Sequence, residues 1–226
     1  MPELAEREFA LRFSSAVAAL AGLISVAAAA ERVPTPGAKA SVEEARRFFT
    51  EDPDAPMIVP KAYDVTIVEY LDYQCSACRA TAEPLRQLLA KDKKIRVIFR
   101  DWVIFGDASG RAALVAIGSK YQGKYLEVHR ALYAIKGAFT VDKIKAAAIG
   151  AGVDWDRLQK DITAHSSDIE DLLARNDEQA QILGLDGTPG FIIGSTQSFG
   201  GMTLDQLEES VKTAREGRQP GEERGR

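Results

Sequence analysis

The chain is short of cysteine, histidine, tryptophan and methionine: its 226 residues hold two, two, two and three of them. Two cysteines cannot build a disulfide framework. A structural zinc site needs four suitable ligands, and no second cysteine pair exists. His129 and His165 lie 51 and 87 positions past Cys78 and lack the short spacing of finger histidines. Charge of one sign is not in excess either. The net charge is -4, and Lys and Arg are dispersed without a basic stripe, which argues against nucleic acid as a partner. No Gly-x-Ser-x-Gly elbow occurs, so nothing points to a serine hydrolase. Internal repeats are lacking too. What remains is a chain that is 46% hydrophobic and long enough for one sizeable core.

The two cysteines stand together, as Cys75-Ser76-Ala77-Cys78. Two cysteines scattered at random would fall three apart on roughly one occasion in a hundred, so the pairing is itself a signal. It follows a strand-like run at 65–70 and precedes a helical pattern. At a helix start, residues i and i+3 lie one turn apart on the same side, which brings two sulfurs within disulfide reach. The helix N-terminus favours an anion on the first sulfur. Cys75 is therefore expected to be the exposed nucleophile and Cys78 the resolving thiol. The bland alternative is two small buried apolar residues. A noncatalytic Cu(I) carrier would use the same two soft ligands, but no Met-rich or His-rich segment accompanies them.

Residues 13–30 carry no charge, are rich in Ala and end in Ala27-Ala28-Ala29-Ala30. They read as a secretory signal cut near Ala30. At 18 residues the run also reaches the lower edge for a membrane span, and Glu3, Glu6 and Glu8 precede it against only Arg7 and Arg12. An uncleaved anchor is the alternative. Either reading exports the domain to a compartment where disulfides persist.

Residues 31–39 form a Pro-containing linker. Ser41-Val42-Glu43-Glu44 reads as a capping box opening a short helix through Phe49, with Phe48 and Phe49 as docking residues. Pro53, Pro56 and Pro60 then break the chain. A strand at 65–70, a helix from 78 to about 90 containing Pro84, and a strand at 95–99 make a βαβ unit with a parallel pair. From 108 to 183 every pattern is helical. Strands return at 191–193 and 197–199 around a Gly194-Ser195 turn, and Thr203 caps a last helix to about Arg215. The expected organisation is a signal at 1–30, linker and short helix at 31–61, one α/β domain at 62–215 with a helical insertion at about 108–183, and a disordered tail at 216–226.

Thr188-Pro189 stands just before the strand at 191–193, 111 positions from Cys78. A proline there costs no ladder bond. It reads either as a turn proline or as a cis peptide facing the thiols, where the Thr188 backbone could pair with an extended client peptide.

The stretch Val68-Glu69-Tyr70-Leu71-Asp72-Tyr73-Gln74-Cys75-Ser76-Ala77-Cys78, with Gly187-Thr188-Pro189-Gly190-Phe191-Ile192-Ile193-Gly194 downstream, resembles the DsbA-like thiol-disulfide oxidoreductases of bacterial envelopes. The likeness spans roughly 62–215. It implies a thioredoxin-like fold with an inserted all-helical subdomain. It also implies a nucleophile at Cys75, a resolving thiol at Cys78 and a cis-proline loop at Thr188-Pro189, with Ser76 and Ala77 beside the client. Glu69 falls where the family keeps a buried carboxylate near the resolving thiol, and a carboxylate on an apolar strand should have a raised pKa and pass a proton to and from Cys78. Strand alternation alone would also allow Glu69 to face solvent. Asp72 is expected to be a structural residue or local charge in the loop. The family's strongest oxidants carry Pro-His between the cysteines and tend to have Val before the proline. Here Ser76-Ala77 offers no charge, and Arg79 is expected to be solvated.

The resemblance implies an envelope oxidase with no cofactor beyond its own Cys75-Cys78 disulfide. Its substrates would be exported proteins, its location periplasmic, and a DsbB-like or DsbD-like membrane partner would recycle it; the stretch between Ala30 and Ala62 is too short for a dedicated dimer module, which favours a monomer. The alternative is a reductase or isomerase kept as the dithiol.

Overall fold

A computed structural model describes residues 42–217. The expected signal, the linker at 31–39, Ser41 of the capping box and the tail from 218 lie outside the described residues.

The elements run α1 (Val42–Thr50), β1 (Met57–Ile58), β2 (Val65–Leu71), α2 (Ser76–Lys91) and β3 (Ile95–Asp101). There follow α3 (Asp107–Ser119), a 3-10 turn (Lys120–Gln122), α4 (Tyr125–Tyr133), α5 (Val141–Gly150), α6 (Trp155–Ala164) and α7 (Ser166–Ile182). β4 (Gly190–Ile193), β5 (Thr196–Phe199) and α8 (Leu204–Glu216) close the chain. The five strands form one sheet in the order β1-β3-β2-β4-β5. β2 and β3 are parallel, as a βαβ unit requires, and the other pairs are antiparallel. The fold is thioredoxin-like, a mixed sheet between helices, and the helical stretch between β3 and β4 is the expected insertion.

β2 and β3 are flanked on both edges and covered on both faces, which is why Val, Ile, Leu and Phe dominate them. α2 continues through Pro84 and turns Cys78, Thr81, Leu85 and Leu88 inward at helical spacing. It opens two residues earlier than the sequence reading placed it, because Cys75 itself serves as the N-cap. α8 opens on the expected box: Thr203 Oγ1 accepts from Gln206 N at 3.3 Å, and Gln206 Oε1 accepts from Thr203 N at 2.8 Å. The β4–β5 turn needs Gly194, whose φ is +62° and where a Cβ would stand 2.7 Å from that of Ala214.

Two expectations are corrected. α1 docks less through its aromatic rings than through its end: Phe48 is 45% exposed, while the Phe48 and Phe49 carbonyls accept from Gln179 and Arg100 at 2.7 and 3.0 Å. The proline-rich segment before β2 also holds a short strand that no periodicity signalled. Among the described residues, no helix is long and apolar enough to cross a membrane.

Candidate active site

The sheet register brings the two halves of the site together. β4 runs antiparallel to β2 with Gly190 opposite Tyr70, so the residues entering β4 meet those leaving β2. These are Thr188-Pro189 on one side and the loop to Cys75 on the other. The Thr188-Pro189 peptide bond is cis. Cys75 Sγ donates to the Thr188 carbonyl at 3.1 Å and accepts from Cys78 N at 3.3 Å. Both cysteines are free thiols.

Cys75 was expected to be exposed and is not: it is 5% exposed, because the Thr188 loop lies over its sulfur. Cys78, one turn into α2, is fully buried. Burial pushes its thiol far above the ordinary range. A backbone hydrogen bond from Asp72 works against this, and the nearby Glu69 adds to it. Ser76 is exposed and Ala77 half-buried, on the rim of the site.

Asp72 shapes the loop between β2 and Cys75. Its Oδ1 accepts from Gln74 N at 2.8 Å and from Ser109 Oγ at 2.6 Å, and its Oδ2 accepts from the Ile104 and Phe105 N-H groups at 2.9 and 3.2 Å. Its own carbonyl accepts from Cys75 N at 3.1 Å. Gln74 reinforces the clamp by donating to Phe105 O and Ser109 Oγ. One carboxylate thus ties the active-site loop to the segment that opens the helical insertion. Beside it, Ile104 and Phe105 are exposed apolar residues.

Arg79 is corrected as well. It is half-buried, donates to Ile135 O at 2.6 Å and lies over the Phe139 ring at 5.8 Å, so its charge serves the insertion rather than the thiols.

Glu69 is 1% exposed, which answers the question that alternation left open. Its strand is buried on both faces, so neither face offered solvent. Burial pushes its carboxyl up to about 8, and the charge of Asp101 contributes. Asp101 escaped the sequence reading, which ended the strand at Phe99. In the register Glu69 pairs with Phe99 and Leu71 with Asp101, so both acids point to the same sheet face from neighbouring strands. α4 covers that face: the Phe99 ring packs on Tyr125 and His129 with centroids 5.6 and 4.8 Å away. Asp101 Oδ2 accepts from Tyr125 Oη at 2.9 Å. Tyr73 Oη lies 3.5 Å from Tyr125 Oη and 3.2 Å from His129 Nδ1. Burial pushes Asp101 up to about 7 and His129 down to about 3, so the imidazole is neutral at physiological pH. The signal for Asp101 was parity: residues 95, 97, 99 and 101 share one face of a continuing strand.

The opposite face is paired differently. Arg100, fully buried, donates to Asp52 Oδ2 at 2.6 Å, and Tyr70 Oη donates to Gln179 Oε1 at 2.9 Å.

Residues 59–213 match the family model described as thioredoxin. A thioredoxin-like oxidoreductase from Silicibacter pomeroyi DSS-3 superposes with a TM-score of 0.73 at 32% identity, covering 76% of this chain and 99% of that one. The thiol-disulfide exchange protein alpha-DsbA2 from Wolbachia pipientis gives 0.71 at 29%, covering 76% and 92%. A periplasmic thioredoxin-like protein from Salmonella enterica serovar Typhimurium gives 0.67 at 26%, covering 76% and 96%. Among curated proteins, the chain is 25% identical over 179 residues to Na(+)/H(+) antiporter NhaA 1 of Mycobacterium sp. (strain KMS). The match takes in 77% of this chain but only 28% of that relative's length.

Proposed function

The chain belongs to the thioredoxin family and to its DsbA-like thiol-disulfide oxidoreductases, and from that premise we propose that it exchanges a Cys75-Cys78 disulfide with exported proteins, acting as an oxidase. The observation that carries the reading is the position of Cys75 Sγ at the N-cap of α2. There it accepts the Cys78 N-H, with the Thr188 carbonyl at 3.1 Å and Cys78 one turn inward.

In the donor direction a client thiolate attacks Cys75 Sγ, the Cys75-Cys78 bond breaks, and Cys78 leaves with the electron pair. Glu69, a neutral acid at the pH where the raised carboxyl still holds its proton, supplies that proton to Cys78. A second client thiolate attacks the client sulfur of the mixed disulfide. The client disulfide forms, Cys75 leaves as the thiolate, and two electrons have passed from client to protein. The helix N-terminus and the Cys78 N-H favour the charge that Cys75 gains on leaving. Run backwards, Glu69 takes the Cys78 proton, and Cys78 attacks Cys75 to release the client thiol. The Thr188 backbone and the rim residues Ser76 and Ala77 hold the client segment.

The apolar run at 13–30 and the likeness to a periplasmic protein support a periplasmic location. A DsbB-like membrane partner would restore the disulfide of a monomer, the only redox group the reading requires. A second reading, a reductase or isomerase that a DsbD-like partner keeps as the dithiol, draws support from Arg79, whose guanidinium turns to Ile135 O.

Cys78→Ser tests the roles. The variant should accumulate mixed disulfides through Cys75 with client proteins, released by dithiothreitol and visible on non-reducing gels. A folded variant that traps none contradicts the assignment.

A further inference from the structure

We propose that Asp101 is a positioning residue for the exchange reaction: from the neighbouring strand its like charge opposes the ionisation of Glu69, and so sets how readily Glu69 passes a proton to and from Cys78. The inference deepens the reading above and rests on it.

Three observations support it. The two carboxyls share one sheet face, one strand apart, and each residue is 1% exposed. Asp101 Oδ2 is held by Tyr125 Oη, while its Oδ1 is buried without a hydrogen-bond partner, an arrangement that suits a protonated carboxyl better than a lone carboxylate. Among the described residues no cation acts on either carboxyl; Arg130, on the exposed side of α4, acts on His129. The surrounding groups are Cys78 from α2, Asp72 and Tyr73 from the loop, and Tyr125, His129 and Tyr133 from α4. Burial keeps the tyrosines and His129 neutral. Arg100 points to the other face, committed to Asp52.

Two carboxyls in a site without a cation cannot both ionise at little cost. Asp101 gives up its proton first, and its charge then holds the remaining proton on Glu69. Asp101 touches neither thiol in this scheme; it acts through Glu69.

Asp101→Asn keeps the side-chain volume and an acceptor for Tyr125 while removing the charge. The readout is the pH dependence of mixed-disulfide release between Cys75 and a cysteine-containing model peptide, the step in which Glu69 takes the Cys78 proton. With the like charge gone, Glu69 loses its proton at lower pH, so the midpoint should fall by about one pH unit. A merely structural residue would change the rate without moving the midpoint, and an unmoved midpoint in a folded variant overturns the proposal. Should the variant not fold, carboxyl 13C titration of the wild-type dithiol decides: two separate steps near 7 and 8 are expected. Finding Asp101 fully ionised at about pH 5 overturns it. If Cys78→Ser traps no client, the exchange reading fails while the titration still reports on the pair. If trapping succeeds and the midpoint stays, only this inference fails.

Discussion

Burying Glu69 costs stability as pH rises. In the folded protein its carboxyl keeps a proton up to about 8, whereas in the unfolded chain it ionises near 4.5. Its contribution to stability is therefore complete below about pH 4.5 and is lost progressively as pH rises to about 8. Asp101 acts in the same direction between 3.8 and about 7. Glu69→Gln should accordingly raise the unfolding free energy of the dithiol form more at pH 8 than at pH 5, by at least about 1.4 kcal/mol, the worth of one pKa unit. Urea unfolding at the two pH values measures the difference. An equal effect at both would mean that the carboxyl is ionised or solvated in the folded state. The same variant should slow mixed-disulfide release. Glu69 was legible as a candidate through the family resemblance, but not its burial, because period-two alternation carries no information on a strand covered on both faces. Asp101 was hidden for a related reason: Arg100-Asp101 looks like a solvated pair, and only the register reveals that the two side chains part to opposite, equally buried faces.

Among the elements, the start of α2 and the loops around it carry the site. The βαβ unit, the β4–β5 hairpin and the cap of α8 could be read from sequence because each rests on local signals: apolar runs, a Gly194 turn and a Thr203/Gln206 box. The clamp built by Asp72 could not. Its partners Ile104, Phe105 and Ser109 stand more than thirty positions away, and nothing local announces them. Asp72→Ala would strip the acceptor from four donors. It should cost roughly 2–4 kcal/mol of stability. It should also loosen the loop over Cys75, so that iodoacetamide alkylates the thiol several-fold faster than in the wild type. Unchanged alkylation with lowered stability would show that the Thr188 loop alone governs access to the sulfur.

Across the described residues, a central sheet carries the Cys75-Cys78 pair at one end of β2 and a buried acid pair beneath it, with the helical insertion supplying the aromatic cover of α4. That division explains why so much of the fold was open to sequence reading: thioredoxin-like strands announce themselves by apolar runs and the site by the paired cysteines. The long-range hydrogen bonds that tune the site are set by packing and stay silent in the sequence. The most direct test of the account is the equilibrium of the purified protein against a series of glutathione buffers, read as the fraction of oxidised Cys75-Cys78. An oxidase should show one reversible two-electron transition at a potential above about -180 mV. A potential near about -230 mV or below, or no reversible transition at all, would contradict it.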